Sequence, residues 1–385
     1  MSDQLSIVAV GDVMLGDHPV RIGNGVRSQI DRNGAGWLFG EVREFMTGAD
    51  LLFGNLEVVH SDIGLVENDL ASMEFRGDPS DLREFADAGF NVLNLANNHC
   101  MEHGRDAFAD TVERLQTMGI MVAGLNDGTG RSACCTADIQ GRRIVVLGFS
   151  MRPEAYSKEA TLPYALSNES KILEQVRAKR DDADVLVVSL HWGEEFMEYP
   201  SRSQVRFAHA LIDSGAKIVL GHHPHVLQGV ENYGGGVIAY SLGNFVFDMW
   251  QHDTRKSAIL KLCIDRANNI TWNLIPVNIG NDCRPVPVHD SERADWSSWF
   301  ERLCRLIPVP ENVSTFSVST DKATDKYDDS PYSILAGRRT RLHRYGNYLY
   351  FAKNLHRYRR DLVVQSLKRS VFRRLEEFTS LIGVR

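Results

Sequence analysis

Three histidines stand within four positions of the segment LGHHPHVLQG, directly after an apolar run that predicts a buried strand. They are His222, His223 and His225. Packing alone would favour Val or Leu at the end of a core strand, whereas imidazole binds metals and transfers protons near neutral pH. The cluster therefore indicates a chemical role and draws attention to the other strand ends.

Four further apolar runs also end in side chains that bind metals or transfer protons. One such ending is uninformative, because a strand-terminal Asp is commonly a helix cap and a lone histidine is commonly just buried. Five in order indicate one shared site, since ligands of open α/β sheets bind at the carboxyl ends of the strands. The four endings are Asp12, then Asn55 and Glu57, then Asn97, Asn98 and His99, and finally His191, Glu194 and Glu195.

The ligand types argue against a structural zinc held by thiolates. Carboxylate, imidazole and amide oxygen suit Mn, Fe, Zn or Co, and the six cysteines show no CxxC spacing. The candidate donors outnumber those that one tetrahedral ion needs, whereas two ions roughly 3.5–4 Å apart would use them all. We therefore expect two divalent transition-metal ions (Mn, Fe or Zn) that generate hydroxide at neutral pH for a hydrolytic reaction.

The elements that must position these residues are short strands alternating with helices. Apolar runs recur along the first 290 residues, and many are separated by segments with apolar residues at i, i+3 and i+4. This alternation is typical of an α/β fold with largely parallel, buried strands. Strand patterns between about residues 236 and 277 follow one another without helices, so part of the sheet is expected to be antiparallel.

Composition divides the chain into three parts: a domain over 1–290, a short helix and polar linker over 291–335, and a basic amphipathic helical tail over 336–385. The tail holds 13 basic and 3 acidic residues, which leaves a net charge of −17 on the acidic remainder. A helix that packs on this acidic body is the main interpretation of the tail. The alternatives are peripheral contact with an anionic membrane, binding of nucleic acid, which nothing in the body supports, and contact with a protein partner.

Composition also bears on location. Apolar residues make up 43% and charged residues 24% of the chain, as in soluble globular proteins. No window approaches the roughly 18 apolar residues of a membrane span, and the first residues lack the basic and apolar regions of a signal peptide. We expect a cytoplasmic protein, with the inner membrane face as the site of any peripheral contact.

Six motifs, in order, resemble the calcineurin-like metallophosphoesterases and more narrowly their CapA branch, the poly-γ-glutamate capsule synthesis proteins. They are GDVMLGD, GNLE, NLANNH, HWGEEFMEYPSRSQ, GHHPHVLQG and YSLGNFVFD, and they extend over about residues 5 to 250. The resemblance implies a four-layer α/β/β/α sandwich with two mixed sheets and a metal site at the strand ends.

By position, the resemblance also implies roles for individual residues. His99, next to Asn98, would be the general acid that protonates the leaving oxygen. Met14 stands where the wider superfamily has a D-x-H histidine, and Glu57 stands where it has an Asp, which leaves the first metal site poor in ligands. The implied ligands are Asp12 and His225 for the first ion, Asn98, His191 and His223 for the second, and Glu57 as the bridge between them.

The histidine turn should owe its geometry to Pro224, which we expect to hold the backbone extended. His223 and His225 would then face the same side, and His222 would point elsewhere as a supporting residue. Further candidates for substrate contact or ligand support are Arg76 as a cation for an anionic substrate, Glu195 as a carboxylate that orients an imidazole, and Asn244 as a pocket residue.

The predicted function is a metal-dependent hydrolase associated with synthesis of poly-γ-glutamate or a related capsule-type polymer. Phosphoester and amide hydrolysis both need a metal-bound hydroxide and an acid such as His99, so the motifs leave the bond open. A non-catalytic polymer-binding or assembly protein is the alternative: Met14 favours it, and the Asn98–His99 pair argues against it. The expected partner is an anionic small-molecule or polymer substrate, and no nucleic acid.

Overall fold

The computed structural model describes residues 4–34, 36–129, 131–309, 330–354, 364–365 and 368. Its strands are β1 (Leu5–Val13), β2 (Leu51–Leu56), β3 (Val92–Asn94), β4 (Met121–Ala123), β5 (Cys135–Ile139), β6 (Arg142–Ser150), β7 (Val185–His191), β8 (Ile218–His222), β9 (Val230–Tyr233), β10 (Gly236–Ala239), β11 (Asn244–Val246), β12 (Lys256–Ile264), β13 (Ile270–Ile279) and β14 (Pro285–Pro287). Its α-helices are α1 (Val26–Asn33), α2 (Arg43–Met46), α3 (Leu70–Met73), α4 (Leu82–Ala88), α5 (Gly104–Thr117), α6 (Glu169–Lys179), α7 (Arg202–Asp213), α8 (Arg293–Arg305) and α9 (Ser330–Asn354).

The strands form two mixed sheets. The first sheet has the order β14-β13-β12-β1-β2-β3-β4, with β11 also paired to β1, and the second has the order β5-β6-β7-β8-β10-β9. Strands β1 to β4 run parallel, as do β6, β7, β8 and β10. The predicted antiparallel part is present, because β12 pairs antiparallel with both β1 and β13.

Alternating side chains assign each face of a strand to a different core. In β1, Leu5 and Ile7 point into the core between the sheets, whereas Val8 joins the core under α1, α4 and α5. In β7, Val187 lies between the sheets and Val188 packs with α6 and α7. Every central strand is thus buried on both faces, and the predicted four-layer α/β/β/α sandwich is confirmed.

The end of the domain differs from the predicted boundary at residue 290. Helix α8 places Trp296, Phe300 and Leu303 at helical spacing in the core between the sheets, so it packs as part of the body. Helix α9 begins at Ser330, within the segment predicted as linker. Most of the tail predicted over 336–385 lies outside the described residues. Within the described part of the chain, no helix is long and apolar enough to cross a membrane.

Candidate metal centre

Three buried side chains converge where the carboxyl ends of the two sheets meet. Asp12 lies near the end of β1, Glu57 directly follows β2, and His191 is the last residue of β7. One ligand atom of each residue lies within 4.8 Å of the others, and all three side chains are fully buried. Two carboxylates and an imidazole at this spacing can hold a divalent transition metal.

An asparagine network fixes the two carboxylates. Asn55 Nδ2 donates to Asp12 Oδ1 at 2.9 Å and to Glu57 Oε2 at 2.7 Å. Its oxygen accepts a hydrogen bond from Asn94 Nδ2 at 2.9 Å. Asp12, Asn55 and Asn94 occupy matching register positions in β1, β2 and β3, so sheet pairing aligns them. Asn94 was not among the residues predicted from the sequence. It could have been found as a third asparagine near the end of this strand, before Asn97 and Asn98 in NVLNLANNH.

The second sheet comes close to this network because β6 carries a glycine opposite Asn94. A Cβ atom added to Gly148 would lie 2.1 Å from Asn94 Oδ1. Any larger residue would therefore force the sheets apart at the point where their ligands must meet. In the second sheet, His191 and His222 are register partners on β7 and β8, which brings the histidine turn beside the carboxylates.

The histidine turn is built differently from the prediction. His223 and His225 have φ values of 95° and 58°, so both adopt the left-handed region and the expected extended backbone is wrong. Such conformations cost on the order of 1–3 kcal/mol each in a non-glycine residue and persist only when the surroundings impose them. One contact that holds His223 in this conformation is the hydrogen bond that its backbone N donates to Asp12 Oδ2 at 3.2 Å.

All three imidazoles of the turn nevertheless approach the cluster. The ring centroid of His223 lies 4.8 Å from that of His191 and 5.9 Å from that of His225. His225 Nδ1 lies 3.4 Å from Asp12 Oδ2 and 2.9 Å from Asn244 Oδ1. His222 Nδ1 lies 3.3 Å from Asp12 Oδ1, so His222 contacts a candidate ligand instead of pointing away from the site.

Buried polar atoms in this cluster have no hydrogen-bond partner among the described residues. They are Glu57 Oε1, His191 Nδ1, and both ring nitrogens of His222 and of His223. Leaving a buried polar atom unsatisfied costs roughly 1–3 kcal/mol, so a group of them at one point needs an explanation. A bound cation would supply one for Glu57 Oε1 and for one nitrogen of each neutral imidazole, because these atoms offer lone pairs.

The electrostatics of the cluster agree with cation binding. Burial, followed by the nearby charge of Asp12, raises the pKa of Glu57 well above its ordinary value. Burial, followed by the neighbouring imidazoles, lowers the pKa of His191 well below its ordinary value. Two carboxylates and neutral imidazoles make a site that a positive ion stabilises and that is costly when empty.

Beside the cluster lies a second constellation, formed by Asn98, His99 and Glu102. Asn98 Oδ1 accepts a hydrogen bond from His191 Nε2 at 2.7 Å. His99 Nδ1 donates to Glu102 Oε2 at 2.8 Å, and its Nε2 has no hydrogen bond to any described residue. A carboxylate on one ring nitrogen fixes the orientation of the imidazole and stabilises its protonated form. Sequence reasoning missed Glu102, although its i+3 spacing from His99 in NHCMEH was visible.

A basic side chain also stands at this edge of the sheets. Arg152 follows β6 and contacts Glu194 Oε1 at 3.1 Å and the carbonyl of Gly193. Ser150, two residues before Arg152, is the register partner of His191, so Arg152 leaves its strand beside the cluster. Burial, followed by the charge of Arg152, lowers the pKa of His223. The side chain remains 26% exposed, so it is accessible to an anion.

Some predicted site residues have other contacts. Arg76 is buried and donates to the carbonyls of Ser61 and Ile63, so it anchors a loop and is not an accessible cation. Glu195 is half-buried and its charge contributes to the raised pKa of Glu57, but it bonds to no imidazole among the described residues. The carboxylate that orients an imidazole is Glu102 instead, because it follows its histidine on the same turn.

Two further positions complete the site. Asn97 donates from Nδ2 to the carbonyl of Leu56 and accepts from His99 N, so it shapes the turn and does not bind metal. Met14 is fully buried and packs with Val58 and Phe247.

The part of the chain that carries the site residues matches a known protein family. A family model described as "Bacterial capsule synthesis protein PGA_cap" matches residues 6–249, a range that begins in β1 and ends just after the β11 motif. The chain belongs to this family. The PGA_cap match includes every predicted metal ligand, whereas α8 and α9 lie beyond it.

Two proteins similar to this chain carry names that refer to capsule and polymer synthesis. The capsule biosynthesis protein CapA of Bacillus anthracis is 32% identical over 74% of this chain and 70% of its own length. The PGA biosynthesis protein CapA of Bacillus subtilis is 30% identical over 74% of each. Among solved structures, a 5′-nucleotidase precursor from Thermus thermophilus aligns with a TM-score of 0.42 at 11% identity, over 78% of this chain and 58% of its own.

Proposed function

We propose that this chain is a metal-dependent hydrolase that cleaves a phosphoester or amide bond in the synthesis of poly-γ-glutamate or a related capsule-type polymer. The observation that carries the proposal is the buried Asp12–Glu57–His191 cluster, with its unsatisfied lone pairs, next to the His99–Glu102 pair. The names of the two Bacillus relatives support the polymer class.

In this proposal two divalent ions (Mn, Fe or Zn) occupy the cluster. When bound, such ions would supply Lewis-acid chemistry, which lowers the pKa of a water molecule and stabilises negative charge on a substrate oxygen. The ligands proposed are Asp12 and His225 for one ion, Asn98, His191 and His223 for the other, and Glu57 for both. Asn55 keeps both carboxylates in place, and Asn244 and His222 orient His225 and Asp12 through the contacts described above.

Proton transfer is assigned to His99. Glu102 holds the proton on Nδ1, which leaves Nε2 as the atom that delivers a proton to the leaving oxygen or nitrogen. Tyr156 and Phe75 flank the ring at centroid distances of 6.0 and 4.8 Å and limit the positions that it can adopt.

Metal titration tests this proposal most directly. Calorimetry on metal-free protein with Mn, Fe and Zn should give up to two bound ions, and His223→Ala should remove one of them. The loaded protein should then hydrolyse either p-nitrophenyl phosphate or γ-glutamyl-p-nitroanilide, which decides the bond class. Wild-type protein that binds none of the three metals stoichiometrically would contradict the proposal.

Arg152 is proposed to bind an anionic group of the substrate. Arg152→Ala should raise KM about tenfold with kcat changed less than about threefold, since a charge-assisted hydrogen bond is worth roughly 1.5–3 kcal/mol when made equally in both states. Arg143→Ala is the matched control, because Arg143 lies at the opposite end of β6 in an exposed pair with Asp138. Equal effects of the two substitutions on KM would exclude a substrate contact.

A non-catalytic binding or assembly role is the second candidate, and Met14 is the observation that favours it. Its thioether is buried among Val58 and Phe247, so the D-x-H position supplies no imidazole to the first ion. A protein that binds one metal ion and polymer, but hydrolyses neither test substrate, would fit this role. The cytoplasmic location and membrane contact of the tail stay predictions.

A further inference from the structure

Helix α9 lies across the loops that leave the carboxyl ends of both sheets. Its first half contacts the loop after β7 of the second sheet, and its second half contacts the loops after β11 and β1 of the first sheet. The metal cluster lies where these strand ends meet, so a helix that contacts the three loops lies close to the site. The helix lies outside the residues that match the family model.

The contact with the second sheet uses two side chains of α9. Arg339 Nη1 donates to the carbonyl of Phe196 at 2.7 Å, and its Nη2 lies 3.2 Å from Glu198 Oε2. His343 stacks on the ring of Phe196, with centroids 3.6 Å apart and an interplanar angle of 3°. Phe196 is itself buried at the site side of this loop, 6.5 Å from the His225 ring between centroids.

The contact with the first sheet is formed one to two turns further along α9. Tyr350 stacks on Trp250 at 4.8 Å between centroids, and its hydroxyl accepts from Arg21 Nη1 at 2.9 Å. Gln251 Nε2 donates to Asn347 Oδ1 at 3.0 Å. Gly346 faces Trp250 so closely that an added Cβ would lie 3.0 Å from the indole ring. The helix is therefore fastened on both sides of the gap between the sheets.

His343 links α9 to the candidate ligands through Phe196, whose ring lies 6.5 Å from that of His225 between centroids. Burial lowers the pKa of His343 to about 4, and the charges of Arg339 and His225 act in the same direction against that of Asp253. The ring is therefore neutral near pH 7, which suits its stack on Phe196. Its Nδ1 is buried without a hydrogen-bond partner among the residues that the structure describes.

We propose that α9 is a size-selective cover of the metal centre, which admits small molecules and chain ends and excludes bulkier polymer segments unless it moves. This inference rests on the proposed function, because it assumes that the chemistry occurs at the cluster. Substrate selection then depends on how firmly α9 is held on the loops that carry Phe196 and Trp250.

Two glycines within α9 provide a matched pair of substitutions. Gly346→Leu should push the helix away from Trp250, whereas Gly337→Leu enters open space, because no atom lies within 4 Å of its added Cβ. Both substitutions gain roughly 1 kcal/mol of helix propensity, so helix stability is balanced between them. His343→Ala, with Leu342→Ala at a 72% exposed position as its control, gives a milder second pair if Gly346→Leu folds poorly.

The first measurement is removal of the metal by free EDTA and by EDTA linked to dextran. In wild type and Gly337→Leu, free EDTA should strip the metal at least about tenfold faster than the dextran conjugate, because the cover populates an open state only rarely. In Gly346→Leu and His343→Ala, this ratio should fall towards one. A ratio that is the same in all these proteins would overturn the proposal.

The second measurement needs no metal and separates failure of the cover from failure of the proposed function. Bromoacetyl-dextran should modify His225 and His223 faster in Gly346→Leu than in Gly337→Leu, whereas free bromoacetamide should modify them at similar rates in both, as mapped by mass spectrometry on metal-free protein. Faster modification by the dextran reagent in a protein that binds no metal would support the cover and overturn the proposed function. Equal rates of modification by the dextran reagent would overturn the cover whatever the metal content.

Discussion

His99→Ala should lower turnover by roughly 10²- to 10⁴-fold while metal content and folding stay close to those of wild type, as expected for a lost general acid. The imidazole lies beside the cluster and bonds to Glu102, and no proposed metal ligand depends on its side chain. The loss should shrink for substrates with good leaving groups, such as a nitrophenolate, because these need no proton. Steady-state kinetics with a series of leaving groups, combined with elemental analysis, measures this.

Glu102→Gln tests the carboxylate that orients His99, for comparison with His99→Ala. The amide retains the shape and can still accept a hydrogen bond from His99, but it removes the negative charge that stabilises the imidazolium. We expect a loss of about tenfold in kcat, smaller than that of His99→Ala. A loss in His99→Ala that is equal for all leaving groups would mean that the ring positions the substrate and does not protonate it.

The convergence of the site could be predicted from the sequence because it follows from strand direction. Asp12, Glu57 and His191 each come at the end of an apolar run, and parallel strands place such ends at one edge. The pattern therefore indicates which end of each strand carries chemistry, whatever the details of packing. The burial of the strands on both faces could be predicted from their apolar runs, whereas the four-layer arrangement was implied by the resemblance to the calcineurin-like family.

Contacts between segments far apart in the chain could not be predicted in this way. The left-handed backbone of His223 depends on its bond to Asp12, more than 200 residues earlier, and no local rule places a histidine in that conformation. The role of Arg76 also depends on contacts that the sequence does not show. The sequence places a cation near the motifs, but only the fold shows that its guanidinium donates hydrogen bonds to two backbone carbonyls. The position of α9 likewise depends on contacts with residues far away in the chain, so the sequence pattern did not predict it.

Glu57→Gln should have two opposite effects, one on metal binding and one on the stability of the metal-free protein. The substitution removes the carboxylate proposed to bridge both ions, so metal affinity should fall by at least about 100-fold. The stabilisation by metal, about 2.7 kcal/mol at a free concentration of 100 times the wild-type Kd, should fall to about 0.4 kcal/mol or less. Calorimetric titration and urea unfolding with and without Mn or Zn measure these two losses.

Without metal, the same substitution should stabilise the fold by roughly 1–3 kcal/mol at pH 8, because a neutral amide would replace a buried charge beside Asp12. The folded-state pKa of Glu57 is raised above its ordinary value of 4.5. Its contribution to stability is therefore fully present below that value and is lost as pH rises. The advantage of the variant should accordingly grow between pH 5 and pH 8 in metal-free urea unfolding.

Asp81→Asn separates the metal effect from the charge effect. Asp81 is buried away from the cluster, its Oδ2 has no hydrogen-bond partner among the described residues, and burial raises its pKa to about 7. Its substitution should produce the same pH-dependent gain in metal-free stability and leave metal affinity unchanged. If Glu57→Gln instead behaves like Asp81→Asn in metal binding, Glu57 is not a ligand. If it destabilises the metal-free protein, the carboxylate is not under electrostatic strain.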